Sequence, residues 1–301
     1  METGRIAKAL SERIKDVRLG ESMALHTSFK AGGPADIMVL PTCADEIKHA
    51  LNVTAEHDCP LFVMGRGTNL LVTSKGIRGV VLKLADNFAG AKFEGEYVTA
   101  KSGTPLASLV REAIDRRLGG AEFLGGIPGT LGGAVYMNAG AYEGETGDFV
   151  EEVYLVSGDE ELAVKKCDMG FGYRCSMLGK TPYIVTGVKL KLKPCNKEES
   201  LNKLAEFNRR RREKQPLEYP SAGSTFKRPK GCYAGALIEQ AGLKGLTIGG
   251  AQVSEKHAGF IINTGGAAPE DILALIEKVR KEVYDYCGVA LEPEVKVVGE
   301  L

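Results

Sequence analysis

The chain has 301 residues, and its 39 Lys and Arg balance its 39 Asp and Glu, so the formal net charge is zero. This balance argues against a nucleic-acid-binding protein, which usually carries a basic excess. The length suggests two domains, or three, and the 44% hydrophobic content is ordinary for a globular protein. No apolar run approaches the roughly 18 residues of a membrane span, and the amino terminus lacks the apolar centre of a signal peptide.

Seven cysteines are scattered along the chain, without a CxxC pair and without histidines at metal-ligand spacing. Their odd number argues against a complete disulfide framework. We therefore expect a reducing, cytoplasmic environment, no metal site and no obligate protein partner. The four arginines at 209–212 are interpreted as a solvated helix face, because cations are favoured near the carboxyl end of a helix.

Hydrophobic periodicity predicts the secondary structure in chain order. Residues 1–19 are predicted as an amphipathic helix on the spacing of Ile6, Leu10 and Ile14. Further helices are predicted over 44–57, 105–117, 201–213, 234–241 and 270–287. Strands are predicted over 35–40, 61–64, 70–73, 80–84, 97–101, 153–157, 162–166, 183–193, 247–253 and 259–263. Those between 151 and 192 indicate an antiparallel sheet, and the change of pattern near residue 200 predicts the main domain boundary.

Two glycine-rich segments are the first candidates for ligand binding. Gly65-Arg66-Gly67-Thr68-Asn69 follows a predicted strand, and small residues let backbone N–H groups converge on a phosphate. Leu70 stands where a dinucleotide fingerprint would need its third glycine, and a tight turn without a ligand explains this motif equally well. The second segment, 125–134, has five glycines in ten residues and is expected to lie outside helices and strands. Together the two loops could clamp one extended diphosphate.

Six ordered motifs resemble the UDP-N-acetylenolpyruvoylglucosamine reductase family, in the shorter subtype that lacks an inserted loop in the substrate domain. The motifs are 65–69, 126–130, 138–142, 171–174, 221–227 and 291–295, within a match that runs from Thr27 to Glu300. The resemblance implies an α+β flavoprotein. A two-part FAD-binding domain of the vanillyl-alcohol oxidase type is expected over 1–200, divided near 84–100. An α/β substrate-binding domain is expected over 201–301, with its carboxyl-terminal tail returning to the active site.

The resemblance also implies a reaction. NADPH would reduce a non-covalently bound FAD, which would reduce UDP-N-acetylglucosamine enolpyruvate to UDP-N-acetylmuramate for the bacterial cell wall. Arg174 is expected to stabilise the developing enediolate, Ser224 to give a proton to the carbanion carbon, and Glu294 to act as an acid or charge partner. The residues alone allow simpler roles: a surface arginine, a turn hydroxyl and a strand-edge carboxylate.

Further contacts follow from the same resemblance. Lys214, Lys227 and Gln240 are expected near the diphosphate of the substrate, although such side chains are more often merely solvated. Cys175 and Arg228 depart from the residues common in the family at their positions. FAD contacts are expected from Gly65, Arg66, Gly67, Thr68, Asn69, Leu70, Gly126, Ile127, Pro128, Gly129, Thr130, Gly132, Gly133 and Ala134.

Two other functions remain open on the sequence. A flavin oxidase of the same superfamily, acting on a sugar or hydroxy acid, would lack the Ser224 and Glu294 motifs and would react freely with oxygen. A nucleotide-sugar sensor would be expected to have lost Arg174, Ser224 or Glu294, and all three are present.

Overall fold

The computed structural model describes residues 2–142 and 144–300. Met1 and Leu301, the outer bounds of the predicted domains, lie outside the described residues. The α-helices are α1 Glu2–Leu10, α2 Ala44–Glu56, α3 Leu106–Asp115, α4 Leu131–Met137, α5 Lys197–Lys214, α6 Ala234–Gln240 and α7 Pro269–Cys287. No helix in the described part of the chain is both long enough and apolar enough to cross a membrane.

The strands are short, and most pair with neighbours in antiparallel fashion. In chain order they are β1 Val17–Ser22, β2 Pro34–Val39, β3 Leu61–Met64, β4 Leu70–Val72, β5 Ile77–Lys83, β6 Ala91–Glu94, β7 Tyr97–Lys101, β8 Leu118–Gly119, β9 Gly140–Ala141, β10 Gly144–Glu145, β11 Val150–Ser157, β12 Glu160–Lys165, β13 Ile184–Lys191, β14 Lys193–Pro194, β15 Thr247–Ile248, β16 Ala251–Val253, β17 Ile261–Asn263 and β18 Lys296–Val298. Helices and mixed sheets together give the predicted α+β class.

The chain divides into two compact units, and neither is continuous in sequence. The first unit comprises the described residues of 1–19, 37–66 and 79–210, and the second those of 20–36, 67–78 and 211–301. The predicted division at residue 200 therefore differs from the compact units, because two segments of the first 80 residues fold with the carboxyl-terminal hundred. The assignment of cofactor and substrate roles to continuous domains stays a prediction.

The first unit contains an antiparallel sheet of order β12-β11-β13-β7-β6. Alternation places Val153 opposite Val164 and Val188, so apolar side chains share one face of the sheet. In the sheet of order β1-β2-β5-β3, strands β3 and β5 run parallel. Two cores are buried in this unit. One core contains residues from Ile6 to Phe88 together with Val156 and Ile184, and the other contains residues from Val98 to Leu192. The division near 84–100 stays a prediction.

The second unit is built on the antiparallel sheet β15-β16-β17, against which α7 packs. Ile272, Leu275, Ile276, Val279 and Val283 recur at helical spacing on α7 and are all buried in one core. Proline at the start of α7 and Gly288 in a left-handed conformation after it bound the helix. A parallel pair, β4 with β18, brings the carboxyl-terminal tail beside the strand that follows the first glycine-rich loop.

Two local predictions are wrong, and strand β6 was missed. The first helix ends at Leu10, and a strand begins at Val17. Ile14 matches the helical spacing because it lies in a turn after the helix, where its N–H donates to Leu10 O at 3.0 Å. The predicted strand 247–253 is a hairpin with a turn at Gly249, whose φ of 53° favours glycine and where a Cβ would overlap the Asp271 carboxylate. Strand β6 was not predicted, since its alternation is only four residues long.

The expectation that 125–134 avoids helices is also wrong. The segment forms the end of a 3-10 helix at Gly126, and then Leu131 begins α4, so that Gly132 and Gly133 lie in the first helical turn. The reason is tertiary packing. A Cβ on Gly132 would lie 2.8 Å from the Cβ of Ser102, so only glycine lets this turn approach the loop at 102–104.

Candidate functional site

The two glycine-rich segments meet in the first unit. A Cβ built on Gly65 would overlap Oγ1 of Thr130 and would lie 3.3 Å from its Cγ2. Thr130 is buried and caps α4, since its Oγ1 accepts the Gly133 N–H at 3.4 Å. The two segments therefore lie in contact, because Gly65 has no side chain. That they clamp a diphosphate stays a prediction.

The start of α4 is anchored to a third loop, residues 102–104, for which the sequence predicts no function. Leu131 N–H donates to Thr104 O at 2.9 Å, and Gly132 N–H donates to Ser102 O at 2.7 Å. These amides are engaged within the protein, so Gly132 contributes close packing rather than a free donor. The hydroxyl of Ser102 is buried and has no hydrogen-bond partner among the described residues, as expected for a group that a bound cofactor would satisfy.

The remaining predicted cofactor residues of the first unit surround this junction. Arg66 forms an ion pair with Asp86 at 2.6 Å. Gly126 ends a 3-10 helix, and the N–H of Ile127 donates to Leu124 O at 3.0 Å. Pro128 is exposed, Ala134 is buried, and Gly129 has a φ of 142°. Their contacts with a cofactor stay a prediction.

In the second unit, the rest of the first loop holds the carboxyl-terminal tail. Gly67 is buried with a φ of 65°, and its carbonyl accepts the Ser28 N–H at 3.2 Å. Asn69 Nδ2 donates to the backbone oxygen of Glu294 at 3.1 Å, and Asn69 O accepts the Lys296 N–H at 3.0 Å. Asn69 thus fixes the main chain at Glu294, a predicted catalytic residue, and at Lys296, two residues further on. Thr68 and Leu70, the neighbours of Asn69, are half-buried.

Arg174 lies at the tip of a tight turn in the first unit. Gly172 and Cys175 exchange backbone hydrogen bonds of 3.1 and 3.2 Å, and Arg174 has a φ of 54°. A positive φ at the third position of a turn normally calls for glycine. The Arg174 guanidinium donates to Gly140 O at 3.2 Å and lies 5.1 Å from the ring of Tyr173. The predicted positioned arginine is therefore found in a constrained backbone, a feature that often marks functional residues.

In the second unit, Thr225 links the main chain beside Ser224 to the main chain of Glu294. Thr225 is fully buried, its carbonyl accepts the Glu294 N–H at 2.8 Å, and its N–H donates to Gly259 O at 2.8 Å. Its hydroxyl accepts the N–H of Ile261 at 3.1 Å. Ser224 is exposed and Glu294 is half-buried. The Thr225 carbonyl thus joins the Ser224 loop to the main chain of Glu294, while its N–H and hydroxyl anchor the same loop to residues 259–261.

The predicted substrate residues are spread over the second unit. Lys214 ends α5 and Gln240 ends α6, and both are exposed. Lys227 is half-buried and pairs with the carboxylate of Glu292. No contact places these three side chains at one point, so their role at a diphosphate stays a prediction.

His257 is a further residue that the sequence analysis missed. Its Nδ1 accepts the Gly259 N–H at 3.1 Å, and its ring centroid lies 4.9 Å from that of Phe260 in a T-shaped arrangement. Burial lowers the pKa of His257, so the neutral ring with a free Nδ1 lone pair fits this hydrogen bond. Through Gly259, this turn supports Thr225 and hence the Ser224 loop. Nothing in the local sequence distinguishes such a histidine from a surface one.

Comparisons with known proteins identify the family. The family profile described as UDP-N-acetylenolpyruvoylglucosamine reductase, C-terminal domain, matches residues 215–298, and a profile described as FAD binding domain matches residues 35–164. The UDP-N-acetylenolpyruvoylglucosamine reductase of Caldanaerobacter subterraneus subsp. tengcongensis is 48% identical over 302 residues, covering 98% of this chain and 100% of that protein. The chain belongs to the UDP-N-acetylenolpyruvoylglucosamine reductase family.

Solved structures agree with this assignment. The crystal structure of UDP-N-acetylenolpyruvylglucosamine reductase from Thermus caldophilus matches with a TM-score of 0.81 and 38% identity, covering 95% of this chain and 98% of that chain. A 4-ethylphenol oxidase from Gulosibacter chungangensis matches with a TM-score of 0.50 and 17% identity, covering 64% of this chain and 43% of that chain. The second likeness shows the fold alone.

The family resemblance and the flavoprotein class predicted from the sequence are thus confirmed. Both glycine-rich segments lie inside the residues that match the FAD-binding domain. The close approach of Gly65 to Thr130 and the buried hydroxyl of Ser102 fit a cofactor at this place, since FAD needs room near the main chain and donors for its diphosphate.

Proposed function

We propose that the chain catalyses the NADPH-dependent reduction of UDP-N-acetylglucosamine enolpyruvate to UDP-N-acetylmuramate in peptidoglycan precursor synthesis, in the cytoplasm. The observation that carries this proposal is the family relationship, at 48% identity over 98% of the chain. FAD held by the glycine-rich segments would supply the hydride chemistry that links NADPH to the terminal methylene carbon of the substrate. The protein must hold both partners and manage the charge that then develops.

The first unit contributes the residues proposed to hold the cofactor and the carboxylate. Gly65 and Thr130, with Ser102, are the candidates for the cofactor diphosphate. Arg174 is proposed to bind the substrate carboxylate, since a guanidinium offers a planar, permanently charged fork. Hydride addition leaves negative charge on the neighbouring carbon and in the carboxylate, and fixed positive charge beside it lowers the barrier.

The second unit contributes the proposed proton donor. The hydroxyl of Ser224 would transfer its proton to the carbon next to the carboxylate, and solvent would restore the proton to the serine oxygen. Glu294 is proposed as an acid or charge partner in this step. Support comes from Thr225, because its backbone joins the Ser224 loop to the Glu294 main chain within 2.8 Å, so the two residues are held for one task.

Lys214, Lys227 and Gln240 are proposed to bind the diphosphate of the nucleotide sugar. Of the three, Lys227 is the best placed to bind a phosphate. Its present partner, the carboxylate of Glu292, is exposed, and a phosphate would replace that carboxylate as counter-ion. The exposed ends of α5 and α6 give Lys214 and Gln240 the freedom to close on a ligand.

An anaerobic spectrum of the purified full-length protein tests the proposal. NADPH should bleach the flavin absorbance, and UDP-N-acetylglucosamine enolpyruvate should restore it with formation of one equivalent of UDP-N-acetylmuramate. UDP-N-acetylglucosamine, which lacks the enolpyruvyl group, is the matched control and should leave the flavin bleached. Recovery on admission of oxygen but not on addition of the substrate would instead support the flavin oxidase. An unchanged spectrum despite tight nucleotide-sugar binding would support the sensor.

A further inference from the structure

Arg174 needs more than its own turn to hold its position. Its left-handed backbone is unfavourable for any residue with a Cβ, and a conformation of this kind persists only where the surroundings determine it. The turn of 172–175 is closed by backbone hydrogen bonds between Gly172 and Cys175. These close the turn but do not fix where it points.

Asn138 supplies that missing anchor. Its side-chain Nδ2 donates to Gly172 O at 3.1 Å, at the base of the Arg174 turn. Its Oδ1 accepts the Gly147 N–H at 2.8 Å, and the whole residue is buried with 0% exposure. Both ends of the amide are therefore used in well-formed hydrogen bonds, and the side chain has one orientation that satisfies both.

The main chain beside Asn138 holds the other end of the same arginine. Gly140, two residues further on, accepts the Arg174 guanidinium at 3.2 Å. The base of the turn and the charged tip are thus bound by one short segment, 138–140. A shift of Asn138 would move both attachments together.

Asn138 also fixes this segment to the cofactor region. It is the carboxyl-terminal cap of α4 with φ 44° and ψ 54°, a left-handed conformation that asparagine tolerates better than most residues. The opposite end of α4 is Thr130, which meets Gly65. Helix α4 has seven residues, and at about 3.6 residues per turn about two rigid helical turns connect the glycine-rich segments to the Arg174 turn.

We infer that Asn138 is a positioning residue for Arg174, which sets the guanidinium at a fixed distance from the flavin-binding segments. This inference rests on the proposed role of Arg174 in binding the substrate carboxylate. It predicts that loss of the Asn138 donor harms the step that uses the carboxylate and spares the step that does not.

Asn138→Asp is the sharpest test, because it keeps the shape and the acceptor for Gly147 while removing the donor to Gly172. FAD affinity and the rate of bleaching by NADPH should be unchanged. Reoxidation of the bleached enzyme by the enolpyruvyl substrate in stopped flow should slow by about 10- to 100-fold, the usual scale for a displaced catalytic group. Asn138→Gly, which removes both hydrogen bonds without backbone strain, should behave in the same way.

Thr54→Val is the matched control. It removes the hydrogen bonds of 2.8 and 2.9 Å from the buried Thr54 hydroxyl to Ala50 O and Leu51 O within α2 of the same unit, and it leaves the segment 138–140 unchanged. It should reoxidise at the wild-type rate. In an Arg174→Lys background, Asn138→Asp should add little further loss, because the group it positions is already gone.

The outcomes distinguish a failure of the Asn138 inference from a failure of the proposed function. Wild-type reoxidation by Asn138→Asp and Asn138→Gly, or equal slowing by Thr54→Val, would overturn the inference. Loss of FAD binding in both Asn138 variants would also overturn it, since Asn138 would then serve the fold. If the wild-type enzyme is not reoxidised by the enolpyruvyl substrate, the proposed function itself has failed.

Discussion

Gly65→Ala tests the contact between the two glycine-rich segments. The new Cβ would come closer to Thr130 Oγ1 than the 3.0 Å that real Cβ atoms respect. Thr130 must then rotate and lose its capping bond to Gly133, which costs about 1 kcal/mol, or the segments must separate, at about 1–3 kcal/mol. A gain of about 0.4–1 kcal/mol from the less flexible unfolded chain offsets part of this. The two routes therefore leave a net loss of between about 0 and 2.5 kcal/mol.

A double-mutant cycle with Thr130→Ala makes the test specific. Alanine at 130 removes the atoms that the new methyl group meets, so Gly65→Ala should cost almost nothing in that background. The assays are urea unfolding of the apoprotein, followed by circular dichroism, and FAD affinity measured by flavin fluorescence, where 1.4 kcal/mol corresponds to tenfold. Additive effects of the two substitutions, with no coupling, would refute the proposed contact.

Three further predictions concern catalysis and pH. Ser224→Ala should leave FAD binding and NADPH bleaching intact and slow reoxidation by the substrate by about 10²–10⁴-fold, whereas wild-type reoxidation would leave the serine as a turn residue. Arg174→Lys keeps the charge but loses the fork, and reoxidation should fall while bleaching stays normal; an equal fall in both half-reactions would assign it another role. The lowered pKa of His257 means that the unfolded chain binds its proton more tightly. The free energy of unfolding should therefore fall as pH drops below about 6.5, and His257→Gln should remove that part of the slope in urea titrations at several pH values.

Local pattern was enough to place most elements. Residues 61–64 and 97–101 were predicted with the bounds that the structure shows, because short β-rich runs flanked by turn residues determine such strands locally. The antiparallel pairing of 150–191 followed from alternation for the same reason. The motifs around Arg174, Ser224 and Glu294 were found only through the family resemblance, since single polar residues carry no periodic signal.

Long-range packing decided the rest. Helix α4 can begin at Leu131 because Gly132 has no side chain and so packs closely against Ser102. Ser102 is too far from these glycines in the sequence for a local pattern to include it. The second unit takes 67–78 from the first part of the chain because β4 pairs with β18, more than 220 residues later. Asn138 and Thr225 gained their importance from partners distant in sequence, Gly172 for one and Glu294 for the other. Contacts of this kind cannot be derived from local propensity.

The position of deuterium in the product tests most directly the central claim that a hydride from NADPH and a proton from solvent reduce the enolpyruvyl group. Turnover with NADPH deuterated at the transferred position, in H₂O, should place one deuterium in the methyl group formed from the terminal methylene carbon. Turnover with ordinary NADPH in D₂O should instead place one deuterium on the carbon that bears the carboxylate. Mass spectrometry and proton NMR of the purified UDP-N-acetylmuramate distinguish these products. Deuterium from NADPH on the carboxylate-bearing carbon, or no reduced product at all, would contradict the account.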